Sequence, residues 1–213
     1  MPGTLGVLVA GGAGSRLGLG TPKALVRVGE ATLLERSLRT LAAICDEVVV
    51  AAPADLVLRF PAASGVGPGA GSPARAFDPP GASGPLAGVV AGLSSRPFAR
   101  ALVLAVDLPF ATTAALAALL GRLADHQAVV PEPGGVPQPL AAAYAAPARA
   151  VLAARLQAGE RSLSRAVDSL DALRLDDEAL RRLPGGLENF FNLNTRGDLA
   201  EAERRLAAGE EAR

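Results

Sequence analysis

The sequence predicts an α/β protein whose central sheet is mostly parallel and covered by helices on both faces. Short apolar runs of β type alternate with longer alanine- and leucine-rich stretches of helical period, and a glycine-rich turn follows the first run. At 213 residues the chain is one domain's length, enough to bury about 70% of its unfolded surface without disulfide or metal staples.

The first strand is Leu5 to Ala10. Thr32-Leu33-Leu34-Glu35 has the spacing of a capping box and opens a helix to about Ile44. Glu47 to Ala52, around Val48-Val49-Val50, reads as a buried second strand. From Pro61 to Pro85 the chain is rich in Gly, Pro, Ser and Ala, the composition of a mobile surface loop or lid, with Arg75 to Phe77 as a brief strand. Pro85 suits a first helical position, and Leu86 to Leu93 continues as a short helix whose Gly88 and Gly92 permit close packing on a strand. Ala101 to Val106 is an uninterrupted apolar run that stops at Asp107-Leu108-Pro109. Thr112 caps a helix to about Ala124, and Ala128 to Pro131 and Pro139 to Tyr144 are further strands. Helical segments follow at Ala148 to Gln157, Ser162 to Leu170 and Asp177 to Leu183. Thr195-Arg196-Gly197-Asp198 then caps the terminal helix.

Composition removes whole classes of chemistry. Basic and acidic residues balance at 21 each, which argues against a nucleic-acid surface. Six Phe, one Tyr and no Trp leave few platforms for stacking bases. A single cysteine, Cys45, and a single histidine, His126, exclude an internal disulfide, a Cys/His zinc cluster and a two-histidine metal site. Cys45 reads as a small core residue and His126 as a helix-end one. Met1 to Ala10 lacks a basic leader, and the longest apolar stretch is broken by Asp107 and Pro109, so the expectation is a soluble, cytoplasmic protein with no membrane partner.

The richest segment for chemistry runs from Val9 to Lys23. Glycines remove Cβ atoms so that backbone N–H groups can approach phosphate oxygens, and the turn leaves a strand where a ligand crevice lies. A Walker A reading fails because Lys23 stands between Pro22 and Ala24. The dinucleotide spacing fails at Leu17. What remains is a nucleotide-cradling loop with two cations, Arg16 and Lys23: a planar fork and a point charge. Asp107, at the carboxyl end of a buried strand, sits where open α/β sheets place ligands. Asp78 before Pro79 also suits a turn, Asn192 and Asn194 also suit a capping pair, and Arg161 reads as a surface residue.

Gly11-Gly12, Arg16, Gly18 and Lys23 resemble the signature loop of the nucleotidyltransferases of glycosyltransferase-A-like fold. Asp78 with Gly84-Pro85-Leu86-Ala87-Gly88, and Val106-Asp107-Leu108-Pro109-Phe110, resemble that group's nucleotide-side aspartate and magnesium-aspartate strand end. Gln138-Pro139-Leu140, Gln157-Ala158-Gly159-Glu160-Arg161 and Phe191-Asn192-Leu193-Asn194-Thr195 narrow the resemblance to the molybdenum cofactor guanylyltransferase (MobA) family.

The resemblance implies a three-layer αβα, Rossmann-like nucleotidyltransferase fold in one domain, 1–213. Residues to about 110 would bind nucleotide, and residues from about 111 to 206 the acceptor. It implies GTP and molybdopterin as substrates, Mg²⁺ as cofactor, and transient contact with molybdenum cofactor biosynthesis proteins or molybdoenzymes. By the same resemblance the nucleotide sits on Ala10, Gly11, Gly12, Gly14, Arg16, Lys23 and Asp78, with Arg16, Lys23 and Asp107 catalytic, Asp107 on the metal, and Asn192 and Asn194 on the acceptor. Two departures keep alternatives open: Ala52-Pro53 stands where the family usually shows an asparagine, and Thr21 to Val26 is closer to sugar-nucleotide and cytidylyl relatives. The alternatives are a cytidylyltransferase acting on molybdopterin or a sugar or alcohol phosphate, and a nucleotide-binding module without turnover.

Overall fold

A computed structural model describes residues 3–11, 18–52, 74–78 and 81–211. In chain order the strands are β1 (Thr4–Val9), β2 (Arg27–Val28), β3 (Ala31–Thr32), β4 (Glu47–Ala51), β5 (Ala74–Ala76), β6 (Arg100–Ala105), β7 (Ala128–Pro131), β8 (Ala141–Ala145) and β9 (Ala172–Leu175). The helices are α1 (Leu33–Ala42), α2 (Pro85–Ser94), α3 (Thr113–Gly121), α4 (Ala148–Gln157), α5 (Leu163–Val167), α6 (Asp177–Arg181) and α7 (Arg196–Glu211).

Seven strands form the main sheet in the order β5-β4-β1-β6-β8-β7-β9, and β2 pairs with β3 in a small ribbon. Contacts β5·β4, β4·β1, β1·β6 and β7·β9 are parallel; β8 runs antiparallel to both of its neighbours. The mostly parallel α/β architecture expected from the sequence is therefore the one observed.

Alternation along the strands divides the core into two layers. Leu8, Leu102 and Leu104 face one side, where they pack with Leu34, Leu38 and Leu41 of α1 and Leu116 and Leu119 of α3. Val7, Ala101 and Val103 face the other, against Leu86, Val89 and Leu93 of α2 and Leu152 of α4. Helix starts follow their sequence signals. Thr32 accepts from the N–H of Glu35 while the Glu35 carboxylate accepts from that of Thr32, the reciprocal capping box. Thr112 and Ser162 cap α3 and α5 through their side chains.

The differences from the sequence reading have local causes. Helix α3 ends at Gly121 instead of about Ala124, because Ala124 adopts a φ of 37° that cannot continue a right-handed helix. The segments expected at Ser162 to Leu170 and Asp177 to Leu183 shrink to the single-turn helices α5 and α6. Strand β9 and the β2–β3 ribbon were not expected. Ala172-Leu173-Arg174-Leu175 lacks β-branched and aromatic residues; it is held by a four-residue parallel ladder to β7 and by buried Leu175, and Arg174 adds pairs with Glu132 and Asp168.

No helix of the described residues is long and apolar enough to cross a membrane. Cys45 is buried, and burial pushes its thiol up to about 12.

Gly92 carries the close packing its position suggests, since a Cβ there would lie 2.3 Å from Val7 Cγ1, a fully buried and stiff side chain. Gly92→Ala gains about 1 kcal/mol of helix propensity but overpacks the α2–β1 contact by about 1–3 kcal/mol. Urea unfolding of this variant is expected to show a lower midpoint at unchanged slope; equal stability would mean that the sheet accommodates the methyl group.

Candidate active site

Strands β1, β4 and β6 run parallel and end level with one another, at Val9, Ala51 and Ala105. The chain leaving β1 is pinned at once: Ala10, fully buried, donates its N–H to Ala51 O at 2.9 Å. The chain leaving β6 is pinned beside it, with the Val106 N–H donating to Val9 O at 3.1 Å. Asp107 is the next residue, so its carboxylate projects where two parallel strands finish, the usual ligand crevice of such sheets.

Lys23 comes to the same point from the first loop. It opens a short 3₁₀ turn, Lys23–Leu25, after Pro22, whose ring fixes the approach at φ −52°. Ala24 and Val26 anchor this turn in the core and carry the lysine inward, leaving it 8% exposed. An ammonium is costly to bury unless it is paired. Lys23 Nζ donates to Asp107 Oδ2 and to Asn194 Oδ1, each at 2.7 Å. It is also the chain's sole lysine, against twenty arginines.

Asn194 is delivered by an extended segment that alternates sides. Leu193 is fully buried, and its N–H donates to Asp107 O at 2.9 Å. Asn192 and Asn194, on either side of it, both reach the site. Asp198 then fixes the corner into α7: its Oδ2 accepts from the N–H groups of Asn194 (2.8 Å) and Thr195 (2.7 Å), while Thr195 Oγ1 accepts from the Asp198 N–H. The hydrogen bond from Asn194 leads the set that holds the Asp198 carboxyl below its usual range, and the Lys23 charge adds to it. Behind this segment, buried Asn189 accepts from Thr112 N–H and hydroxyl and donates to Pro184 O and Gly186 O, tying the start of α3 to the turn before Asn192.

Two cavities open over the strand ends, of about 340 and 440 Å³, both of the size that holds a small molecule. The smaller is lined by Gly11, Ala52, Asp78, Gly84, Gly88 and Lys23, among others. The larger is lined by Gln138, Arg161, Ser162, Ser164, Asn192 and Asn194, among others. Pro85, Ala105, Asp107 and Leu140 belong to both walls. In the smaller cavity, burial pushes the Asp78 carboxyl up. Gly84 takes a left-handed φ of 96° and starts α2 beneath the cavity.

The turn at Glu160 shapes the larger cavity. Glu160 Oε1 accepts from the N–H groups of Arg161 and Ser162, both at 2.7 Å, and Arg165 donates to the two carboxylate oxygens at 3.0 Å each. Arg165 first, then these backbone groups, hold the Glu160 carboxyl down at about 2. A lowered carboxyl stabilises the turn above the usual carboxylate range, and that contribution is withdrawn as pH falls towards about 2.

Of the sequence-derived candidates, Gly11, Lys23, Asp78, Asp107, Asn192 and Asn194 line the cavities, with Ala10 beneath them. Gly12, Gly14, Arg16 and Pro53 lie outside the described residues, as do residues 61–73 of the expected loop. Arg161, read from sequence as a surface residue, is exposed and also part of the larger cavity's wall. In the sequence Leu140 and Glu160 stand only within the motifs Gln138–Leu140 and Gln157–Arg161, and Ser162 only as a helix start; the structure puts Leu140 in both cavity walls and Ser162 in the larger one.

Among the described residues no group of three or more His, Cys, Asp or Glu side chains could hold a metal. Asp107 nonetheless fits a hard divalent cation. Its Oδ1 is buried with no hydrogen-bond partner, and such cations take one or two carboxylates and complete their shell with phosphate and water oxygens.

Residues 6–173 match the family of the MobA-like NTP transferase domain. The chain is 30% identical over 210 residues to the molybdenum cofactor guanylyltransferase of Desulfosudis oleivorans, covering 98% of each chain. It is 35% identical over 206 residues to a probable molybdenum cofactor guanylyltransferase of Chloroflexus aggregans, covering 91% of this chain and 90% of that one. The crystal structure of molybdopterin-guanine dinucleotide biosynthesis protein A from Archaeoglobus fulgidus superposes with a TM-score of 0.76 at 27% identity, over 96% of this chain and 99% of that one.

The Lys23–Asp107 pair yields a stability prediction. Lys23→Met leaves the carboxylate without its counter-charge while one of its oxygens is already unsatisfied, a loss of about 2 kcal/mol for a pair that is mostly but not fully buried. Adding Asp107→Asn to the same chain removes the stranded charge and is expected to recover part of the fall in melting temperature; a double variant that simply adds the two losses would rule out the coupling.

Proposed function

The chain belongs to the family of MobA-like NTP transferases, and from that premise we propose that it transfers GMP from GTP to the phosphate of molybdopterin, forming molybdopterin guanine dinucleotide and releasing pyrophosphate. The observation that carries this reading is the shared wall: one carboxylate, Asp107, lines both cavities, so ligands in the two can meet beside it.

The reaction joins two anions. An oxygen of the acceptor phosphate forms a bond to the α-phosphorus of the triphosphate, the bond to the bridging oxygen breaks, and its electron pair leaves with pyrophosphate. The nucleophile is already ionised, so no side chain need remove a proton, in keeping with a site built without histidine or cysteine. The barrier is lowered by holding the two anions in line and neutralising charge as it shifts.

In this reading residues up to about 110 serve the nucleotide and residues 111–206 the acceptor, within one domain. Gly11 and Asp78 line the nucleotide side, with Gly12, Gly14 and Arg16 assigned there by resemblance. Lys23 supplies a point charge for the phosphates. Asn192 and Asn194 hold the acceptor, and the Gly159–Ser162 turn closes its cavity. Nucleotidyltransferases of this family generally use a divalent metal. Asp107 would hold Mg²⁺ through the oxygen that lacks a partner. Bound there, Mg²⁺ would neutralise phosphate oxygens.

Incubation with GTP, Mg²⁺ and molybdopterin is expected to give the GMP conjugate, read by mass, and one pyrophosphate for each conjugate. Asp107→Asn is expected to stay folded and to form none. Thermal shift should separate the bases: a nucleotide at 100 times its Kd stabilises by about 2.7 kcal/mol, and GTP should give the larger rise. A preference for CTP would overturn the guanylyl assignment, and nucleotide binding without pyrophosphate release would overturn the transferase reading.

A further inference from the structure

The segment that carries Lys23 is attached to the start of the terminal helix at two points. Asn194 accepts from its ammonium. Two residues on, Arg196 Nη2 donates to Gly18 O at 2.7 Å, across a sequence separation of 178. Gly18 has a left-handed φ of 62°, and the Arg196 guanidinium lies over its bare Cα, so a Cβ there would come within 3.2 Å of Nη2 and 3.6 Å of Nε. The glycine is favoured by its left-handed backbone, and it lets the guanidinium lie close over the chain.

The segment from Gly18 to Lys23 does little to hold its own shape. Gly18 and Gly20 are both left-handed, and a Cβ on Gly20 would meet nothing within 4 Å. Within the segment the Thr21 hydroxyl reaches Leu19 O only at the long distance of 3.5 Å. The corner it leans on is firm, because Asp198 holds two successive backbone N–H groups, those of Asn194 and Thr195.

We propose that Arg196 is a positioning residue for Lys23: its guanidinium fixes the Gly18 end of this segment while Asn194 holds the other, so the start of α7 sets where the ammonium of the chain's sole lysine stands. Arg196 lines neither cavity and acts through Lys23. The consequence for nucleotide affinity rests on the guanylyltransferase reading above; the positioning itself does not.

Because Lys23 is the sole lysine, protein grown with ¹³C-labelled lysine gives one side-chain Cε signal, which reports its surroundings directly. The full-length chain, Arg196→Ala and Arg196→Lys are compared by this signal, by melting temperature, and by calorimetric titration with GTP and Mn²⁺ in the absence of acceptor. Arg196→Ala is expected to shift the Lys23 signal and weaken nucleotide binding about tenfold. Its melting temperature should stay within about 2 °C of the parent, since the polar contacts of an exposed side chain contribute little. Arg196→Lys can still donate to Gly18 O and adds a second lysine signal, identified by its absence from the other two spectra; it should return the Lys23 signal to the parent position and restore most of the affinity. An unmoved Lys23 signal in Arg196→Ala overturns the proposal, as does a loss of affinity that tracks a fall in melting temperature and that lysine does not rescue. If the parent chain binds no nucleotide while the signal still shifts, the functional reading fails and the positioning role stands.

Discussion

The site depends on the ammonium of Lys23, held between a carboxylate and an amide that come from distant parts of the chain. Asp107 and Asn194 are 84 and 171 residues from the lysine, yet both accept from it at 2.7 Å. A charge this far from water is tolerated because it is paired and hydrogen-bonded. The pairing draws three elements together: the turn after the first strand, the tip of β6 and the entry to α7. The backbone bond from Leu193 to Asp107 O secures the last two to one another independently of any side chain.

Much of this was legible in the sequence, for identifiable reasons. Asp107 stood out because an uninterrupted apolar run ends at a charge and a proline, which is what a buried strand emerging at a ligand crevice looks like. Lys23 stood out because Pro22 precedes it in a glycine-rich turn. Asn192 and Asn194 could be read as a pair, but their common direction depends on Leu193 being the buried residue between them. That Lys23, Asp107 and Asn194 form one cluster was not legible, since it follows from strand order, with β1 beside β6. Nor was the wall shared by Leu140 and Pro85, residues of ordinary type that gain meaning through β8 running antiparallel beside β6. Strand β9 escaped because Ala172 to Leu175 is short and lacks strand-forming residues, and its place at the edge comes from a backbone ladder to β7 that no local pattern announces.

Energetic costs cluster where the two cavities meet. Asp107 has one satisfied oxygen and one buried without a partner, and Asp78 is a carboxylate whose charged form burial disfavours. Neither arrangement favours the free protein, and both become favourable only when cations or donors arrive. The periphery shows the opposite pattern: Asn189 has all four of its bonds made, and the buried Tyr144 hydroxyl donates to Pro139 O at 2.7 Å. A satisfied scaffold around unsatisfied acceptors is the division expected of a site that spends stability on ligands.

The lysine itself sharpens the argument. A chain that uses arginine at every other basic position keeps one lysine here. Arginine carries its charge in a wide planar fork suited to two parallel bonds on one carboxylate or phosphate, whereas an ammonium is compact and directs three donors in different directions. Here two donors serve two acceptors on different elements at 2.7 Å, and the third is left for a further acceptor. A guanidinium would have to span the same acceptors from a position that is already buried. The exposed Arg196, by contrast, reaches the Gly18 carbonyl from the far end of the chain, a task that suits a long planar fork. Arg196 at the start of α7 and Lys23 in the first loop therefore divide the work by shape: the broad cation steadies the chain, and the compact one faces the ligand.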